Sequence, residues 1–120
     1  MNQAVYDRLV QAASARATVF YGELADLIGT PESHPAFGST VGETLGEINR
    51  SEVAAGRPML SAIVVSPDDH LPRKGLFNLG QELGVALPDE DEVSFAVRQI
   101  RAVHDQWSDL EPFGGEQAEA

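Results

Sequence analysis

Ser66-Pro67-Asp68-Asp69-His70 sets two carboxylates and an imidazole side by side, and Arg73-Lys74 follows, carrying the chain's single lysine. Carboxylates beside an imidazole are ligands for a hard or borderline metal ion, or an acid/base pair. Adjacent side chains point in divergent directions, however, and no second acidic cluster completes a two-metal site. Asp-Asp after Ser-Pro is also good turn chemistry, because short carboxylates bond to nearby backbone amides. A turn is the expected role. The Glu-x-Lys spacing of a common nuclease site is missing from the same loop. Ser61, His70 and Asp68 are the residue types of a nucleophilic triad, but Ser61 lacks the Gly-x-Ser-x-Gly elbow that exposes such a serine. It reads as a small buried residue in a strand. His34 and His104 have no partner at ligand spacing. The chain has no cysteine, which removes disulfides, thiolate metal sites and a thiol nucleophile. No catalytic residue, metal site or cofactor is expected.

The cations form the other candidate surface. Arg50 falls at the end of an expected helix, Arg57 before an apolar strand, and Arg73 and Lys74 after the polar loop. Brought together, these four are phosphate contacts. Kept apart, each solvates its own stretch of surface, and Arg50 complements a helix C-terminus. Glu43, Glu47 and Glu52 share the helix with Arg50 and oppose insertion into a groove of DNA.

Totals set limits on both readings. The chain has 120 residues and 42 % apolar side chains, enough for one domain with a core. Its formal charge is −11, unevenly placed. Up to Leu87 six basic residues face ten acidic ones, and from Pro88 onward two face nine. Long-range attraction to a phosphate backbone is therefore poor, and any nucleic-acid contact must be local. The N-terminal residues are amphipathic, with no signal-peptide pattern, and no apolar run reaches the roughly 20 residues of a membrane span. A cytoplasmic protein without membrane contact is expected, with a homodimer as one possible state.

Hydrophobic spacing supplies the elements that must position these groups. Val5, Leu9 and Ala12 or Ala13 predict a helix over 2–15. Thr18-Val19-Phe20 is β-prone, and Leu24, Leu27 and Ile28 predict a two-turn helix stopped by Gly29 and Pro31. Phe37, Val41, Leu45 and Ile48 predict a third helix from about Ser39, capped by Ser39 or Thr40, with Glu43 closing a capping box. Gly42 and Gly46 lie one turn apart on it and lower its helicity, which points to a close approach by something else. Met59 to Val65 reads as a buried strand, with residues near 75–79 returning antiparallel to it before a short helix ended by Gly84. Asp89 to Glu92 have capping-box spacing for a last helix whose core stripe is Val93, Ala96, Val97, Ile100, Val103 and Trp107. The expected fold is α+β and mostly helical, winged helix-turn-helix-like with a β-hairpin and a C-terminal amphipathic helix. Residues 1–110 form the single domain and 111–120 an acidic flexible tail. The 66–75 loop is then the wing.

Residues 18–29 (TVFYGELADLIG), 39–45 (STVGETL) and Pro58 opening an apolar strand together resemble the DNA-binding half of the alkylguanine alkyltransferases and alkyltransferase-like proteins. In that family Tyr-Gly opens the first helix of a helix-turn-helix and Val-Gly lies within the recognition helix. The resemblance covers roughly residues 15–75. Together with the cations brought in by the winged-helix reading, this gives an expected nucleic-acid-contacting set of Tyr21, Ser39, Thr40, Arg50, Arg57, Arg73 and Lys74. Two departures bear on activity. Thr40 stands where the family has the arginine that fills the gap left by a flipped base, and Pro58-Met59-Leu60-Ser61 replaces Pro-Cys-His-Arg. Without the thiolate there is no alkyl acceptor. The strings YGELADLIG, GRPMLSAIVV and GLFNLGQELG are also similar to a family of small uncharacterised bacterial proteins, which implies a compact wing-bearing domain. Two functions stay open: weak, non-catalytic DNA contact through the third helix and the loop, or a protein-interaction module of a bacterial multi-component system.

Overall fold

The computed structural model describes residues 1–108; the expected tail at 111–120 lies outside the described residues. The chain is mostly helical with a small sheet, an α+β architecture of five helices. Helix α1 (Gln3–Ser14) buries Val5, Leu9, Ala12 and Ala13, the face given by its four-residue spacing. The Asn2 side chain caps it by accepting from the Val5 N–H at 3.0 Å. Arg16 closes it in the left-handed region at φ 55°, where the Ala17 N–H returns to the Ala12 carbonyl at 2.9 Å.

Strand β1 (Val19–Phe20) runs into a 3-10 turn, Tyr21–Leu24, and the short helix α2 (Ala25–Ile28). The Glu23 carboxylate accepts from the Phe20 N–H at 2.9 Å and fixes this junction. Helix α3 (Phe37–Ala54) begins two residues before Ser39, and no side chain caps it. The capping box expected from Thr40 and Glu43 is not formed. Ser39 Oγ instead donates to the Ala36 carbonyl at 3.1 Å. Phe37, Val41, Leu45 and Ile48 are buried as their spacing requires.

The hairpin is corrected. Residues Leu60–Ile63 form a 3-10 turn, and only Val64–Val65 is strand, β2. It pairs parallel with β1, Val19 against Val64 and Phe20 against Val65. Residues 74–82, half of the expected hairpin, are helix α4 (Lys74–Glu82). The reason is periodicity. Leu76 and Gly80 are buried while Asn78 between them is exposed, which a helix allows and an alternating strand does not. The apolar run at 59–65 is buried on every side, so it needs no alternating face, and β1 supplies its ladder partner. Among the described residues there is no β-hairpin, and the 66–73 segment is a link from β2 to α4 rather than a wing.

Helix α5 (Glu92–Ser108) starts at Asp91 rather than Asp89: Asp91 Oδ1 accepts from the Ser94 N–H at 2.8 Å. Its buried face is Phe95, Ala96, Gln99, Val103 and Trp107, so the expected stripe is rotated and leaves Val93 and Val97 exposed. Phe95 sets that rotation. It packs edge-on to Phe77 at 5.7 Å and fills the space over Gly80. The 60–63 turn sits between α1, α3 and α5 at the centre of the core. Among the described residues no helix is long and apolar enough to cross a membrane.

Candidate functional site

Between α3 and α4 runs a groove of about 470 Å³. One wall is the α3 face that carries Gly38, Gly42 and Gly46; the other is α4, with Gly75 near its start. An added Cβ on any of these four glycines would meet no atom within 4 Å. Glycine in a helix interior costs about 1 kcal/mol relative to alanine. Here that cost returns no packing against the described residues, and none of them makes the close approach expected at Gly42 and Gly46. Gly80 is the contrast, since its Cβ would lie 2.4 Å from Phe95 Cζ.

Polar residues make the floor and ends. Asn49 and Ser61 are buried and bonded twice: Asn49 Nδ2 donates to Ser61 Oγ at 2.7 Å, and the Ser61 N–H donates to Asn49 Oδ1 at 3.0 Å. At one end the Tyr21 hydroxyl accepts from the Arg73 backbone N–H at 2.8 Å, and the Arg73 guanidinium lies over the Tyr21 ring, 4.0 Å from its centre. Burial raises the Tyr21 hydroxyl pKa above its ordinary value, against the lowering effect of Arg73. At the other end Arg50 and Glu82 pair at 2.9 Å across the mouth.

The seven residues expected at a nucleic-acid surface are only partly gathered here. Tyr21, Arg50 and Arg73 line the groove. Ser39 and Thr40 sit in the first turns of α3. Arg57 is placed elsewhere and is committed to another task. Its Nε and Nη2 donate to the two oxygens of Glu52 at 2.8 and 3.0 Å, and it lies 5.8 Å from the centre of the Trp107 ring. Glu52 is fully buried and also accepts from the Tyr6 hydroxyl at 3.0 Å. The bond to Glu52 raises the Arg57 pKa, while desolvation first and Glu52 second raise that of Tyr6. Lys74 faces Glu92 at 3.9 Å. Of the eight cations, six have a carboxylate within 4 Å, and among the described residues only Arg73 and Arg101 have none.

The other candidates resolve as local structure. The 66–71 segment folds on itself, with the His70 N–H donating to Ser66 at 2.8 Å and Asp69 Oδ1 accepting from the Leu71 N–H at 3.0 Å. His70 has φ 59° and meets Phe20 edge-on at 5.7 Å. Ser61, expected mid-strand, lies in the 3-10 turn, and its partner is Asn49 rather than a histidine. His34 Nδ1 accepts from the Ala36 N–H, and His104 Nε2 lies 2.9 Å from the Ala17 carbonyl oxygen. Met59, directly after Pro58, is fully buried, and its N–H donates to Gln99 at 3.0 Å. Among the described residues no group of three or more ligand-type side chains is placed to hold a metal ion. Sequence reasoning overlooked Asn49 and the α4 wall. Asn49 directly follows the apolar Ile48 and precedes Arg50, a position open to an inward amide, but its partner is set only by the tertiary fold.

No protein-family model, curated protein or solved structure matches this chain.

Proposed function

We propose that this chain is a non-catalytic binding domain whose α3–α4 groove receives a segment of a partner protein. The observation that carries this reading is the row of outward glycines, Gly38, Gly42 and Gly46, with open space above each one. Eight residues of helix separate the first from the last, a length of about 12 Å. Small residues along such a line let another backbone come close to the helix. Catalysis finds little support: Ser61 has no base beside it, and the sulfur of Met59 is a buried thioether without a thiolate's nucleophilicity. The test is a photo-reactive residue in place of Asn78, on the α4 wall of the groove, in the full chain and in the cells that make it, with position 97 on α5 as control. One discrete protein adduct from position 78, absent from position 97, is the expected result. Adducts with nucleic acid alone, or equal labelling from both positions, would defeat the reading.

A second reading is weak DNA contact, with α2 and α3 serving as a helix-turn-helix. It is favoured by Arg50 and Arg73 lining the same groove, with Lys74 next in sequence. With Arg57 bound to Glu52, three cations remain. Each neutralised phosphate adds roughly 0.9 to the logarithmic salt slope, so the slope would not exceed about 3 in magnitude. A mobility-shift titration over salt decides: no retardation at low salt removes this reading, and a steeper slope points to a surface other than this one.

A further inference from the structure

Of the five large apolar side chains that the described residues expose, three gather around α5. Val93 and Val97 are 54 % and 47 % exposed, one turn apart on the face turned away from the core. Leu87, 55 % exposed, is tied to the same side, because its N–H donates to the Glu90 carboxylate that Arg98 holds. Together with Ser94, Arg98 and Arg101 the two valines line a shallow hollow of about 410 Å³. Charge extends their line in both directions. Four residues before Val93 stands Asp89, exposed in the turn that leads into α5. Four residues after Val97 stands Arg101, exposed and one of two cations with no carboxylate within 4 Å among the described residues. The order along the face is therefore acid, valine, valine, base, in even steps of four. Read backwards, it is its own complement.

We propose that this face of α5 is an interface between two copies of the chain, packed antiparallel about a two-fold axis at the level of Phe95. In that register Val93 meets the partner's Val97, and Arg101 reaches the partner's Asp89, each contact being made twice. The two arginines at position 101 stand about 18 Å apart along the axis and do not oppose each other. Arg98 leaves the arrangement undisturbed, since it stays with Glu90 and the Val85 carbonyl. Charge complementarity selects the occupant. A surface fitted to a different protein has no reason to carry both halves of its own complement, whereas a two-fold pair requires them. One helix face is smaller than the roughly 800 Å² per partner of a stable complex, and a charge of −11 on each copy opposes the approach. The dimer is therefore weak, with a dissociation constant on the order of 0.1–1 mM. The face shares no residue with the α3–α4 groove, so this inference goes beyond the reading given above.

The test is sedimentation equilibrium of the full chain in about 0.15 M salt, where charges more than about 8 Å apart are screened. The mean mass should rise with concentration from monomer toward dimer and no further. Val97→Asp, at an exposed site, should weaken association at least about tenfold and leave the thermal midpoint of the monomer unchanged. Arg101→Glu and Asp89→Arg should each weaken it about tenfold, by setting like charges opposite each other. Mixed in equal amounts, these two variants should recover the wild-type affinity, because every pair is again acid with base. A monomer mass at every concentration, or a Val97→Asp variant that dimerises as wild type does, overturns the proposal. So does a mixture that associates no better than its parts, or growth beyond a dimer. A photo-reactive residue at position 97 should give no adduct except a dimer of this chain, and an adduct there with a different protein overturns the assignment to a second copy. The groove reading is decided at position 78 and stands or falls separately.

Discussion

Near its C-terminus, α3 turns Glu52 inward, where Arg57 and Tyr6 bring three donors to its two oxygens. Earlier in the same helix, the side facing α4 shows glycines under open space and an Asn49–Ser61 pair bonded to itself at the floor of the groove. Both regions bury polar atoms. In the first the Glu52 oxygens are satisfied from within, although the neighbouring Trp107 Nε1 is left without a partner among the described residues; in the second Asn49 and Ser61 satisfy each other beside an open groove. A closed network of that kind locks α1, α3 and the 57–59 turn together, and its removal is felt as lost stability. The glycine face has no packing among the described residues to lose, so its alteration should be felt as lost binding. Arg57 and Arg50 are both expected surface cations from sequence, and they fall on opposite sides of this division.

That division is most directly broken by substitution of the two arginines. Arg57→Ala strands a fully buried carboxylate, and losing one partner of a buried pair costs 3–5 kcal/mol. About 3 kcal/mol is expected, since Tyr6 keeps one bond to Glu52 and the outer part of Arg57 lies in water. Arg50→Ala removes an exposed pair and should stay within about 0.5 kcal/mol of wild type. Urea unfolding of both variants gives the comparison, and equal losses would show that the two ion pairs do not differ in kind.

Glycine substitutions sharpen it further. Gly80→Ala drives a methyl group into Phe95 and should destabilise by about 1–3 kcal/mol. Gly42→Ala and Gly46→Ala meet nothing and relieve the helix of its poorest formers, so each should stabilise by about 0.5–1 kcal/mol. The same two changes narrow the groove, so stability should rise while the cross-link from position 78 falls. A loss of stability at Gly42 or Gly46 would mean that those glycines already pack against the protein.

The smallest effect lies at the start of α5. Arg98 donates twice to Glu90, at 2.7 and 2.8 Å, and these bonds together with the Leu87 N–H hold its pKa at about 2, below the ordinary 4.5. A carboxyl whose folded value is depressed stabilises the protein above its unfolded value and loses that contribution as pH falls. The gap in thermal midpoint between wild type and Glu90→Gln should thus be constant above about pH 5 and shrink as pH falls from about 4.5 toward 2. Asp91, lowered chiefly by the Ser94 N–H, shifts in the same direction. A gap that widens on acidification would contradict the pairing.

Most helices could be read from periodicity, because Val5 and Leu9 or Val41 and Leu45 must share a face wherever they pack. The strand at 59–65 could not. A run buried on all sides has no period, and its length fits a 3-10 turn plus two strand residues as well as a full strand. Leu76-Phe77-Asn78-Leu79 failed for a related reason: four residues fit either period, and Gly80 under Phe95 settles the matter only through tertiary contact. The α5 stripe was one register off because Val93 and Val97 looked like core, whereas Phe95 and the amide of Gln99, bonded to Met59, hold the inner face. Of the candidate surface, Tyr21, Arg50 and Arg73 do share a groove. Arg57 was misplaced because a buried glutamate five residues away is invisible to any scale that assigns charge to the outside.

Pairing between β1 and β2 has a consequence for the speed of folding. Parallel neighbours cannot be joined by a tight turn, and here α2 and all of α3 intervene between Val19 and Val64. Closing that loop costs entropy before the ladder returns any hydrogen bonds, whereas the helices form from neighbours in sequence within about a microsecond. The slow event is then the arrival of residues 60–65 among helices already made. Val64→Ala is expected to slow refolding more than it hastens unfolding, and a stopped-flow denaturant series would show the change chiefly in the folding limb. If the change falls in the unfolding limb instead, the two strands pair only after the rate-limiting step, and the arrival of residues 60–65 is not the slow event.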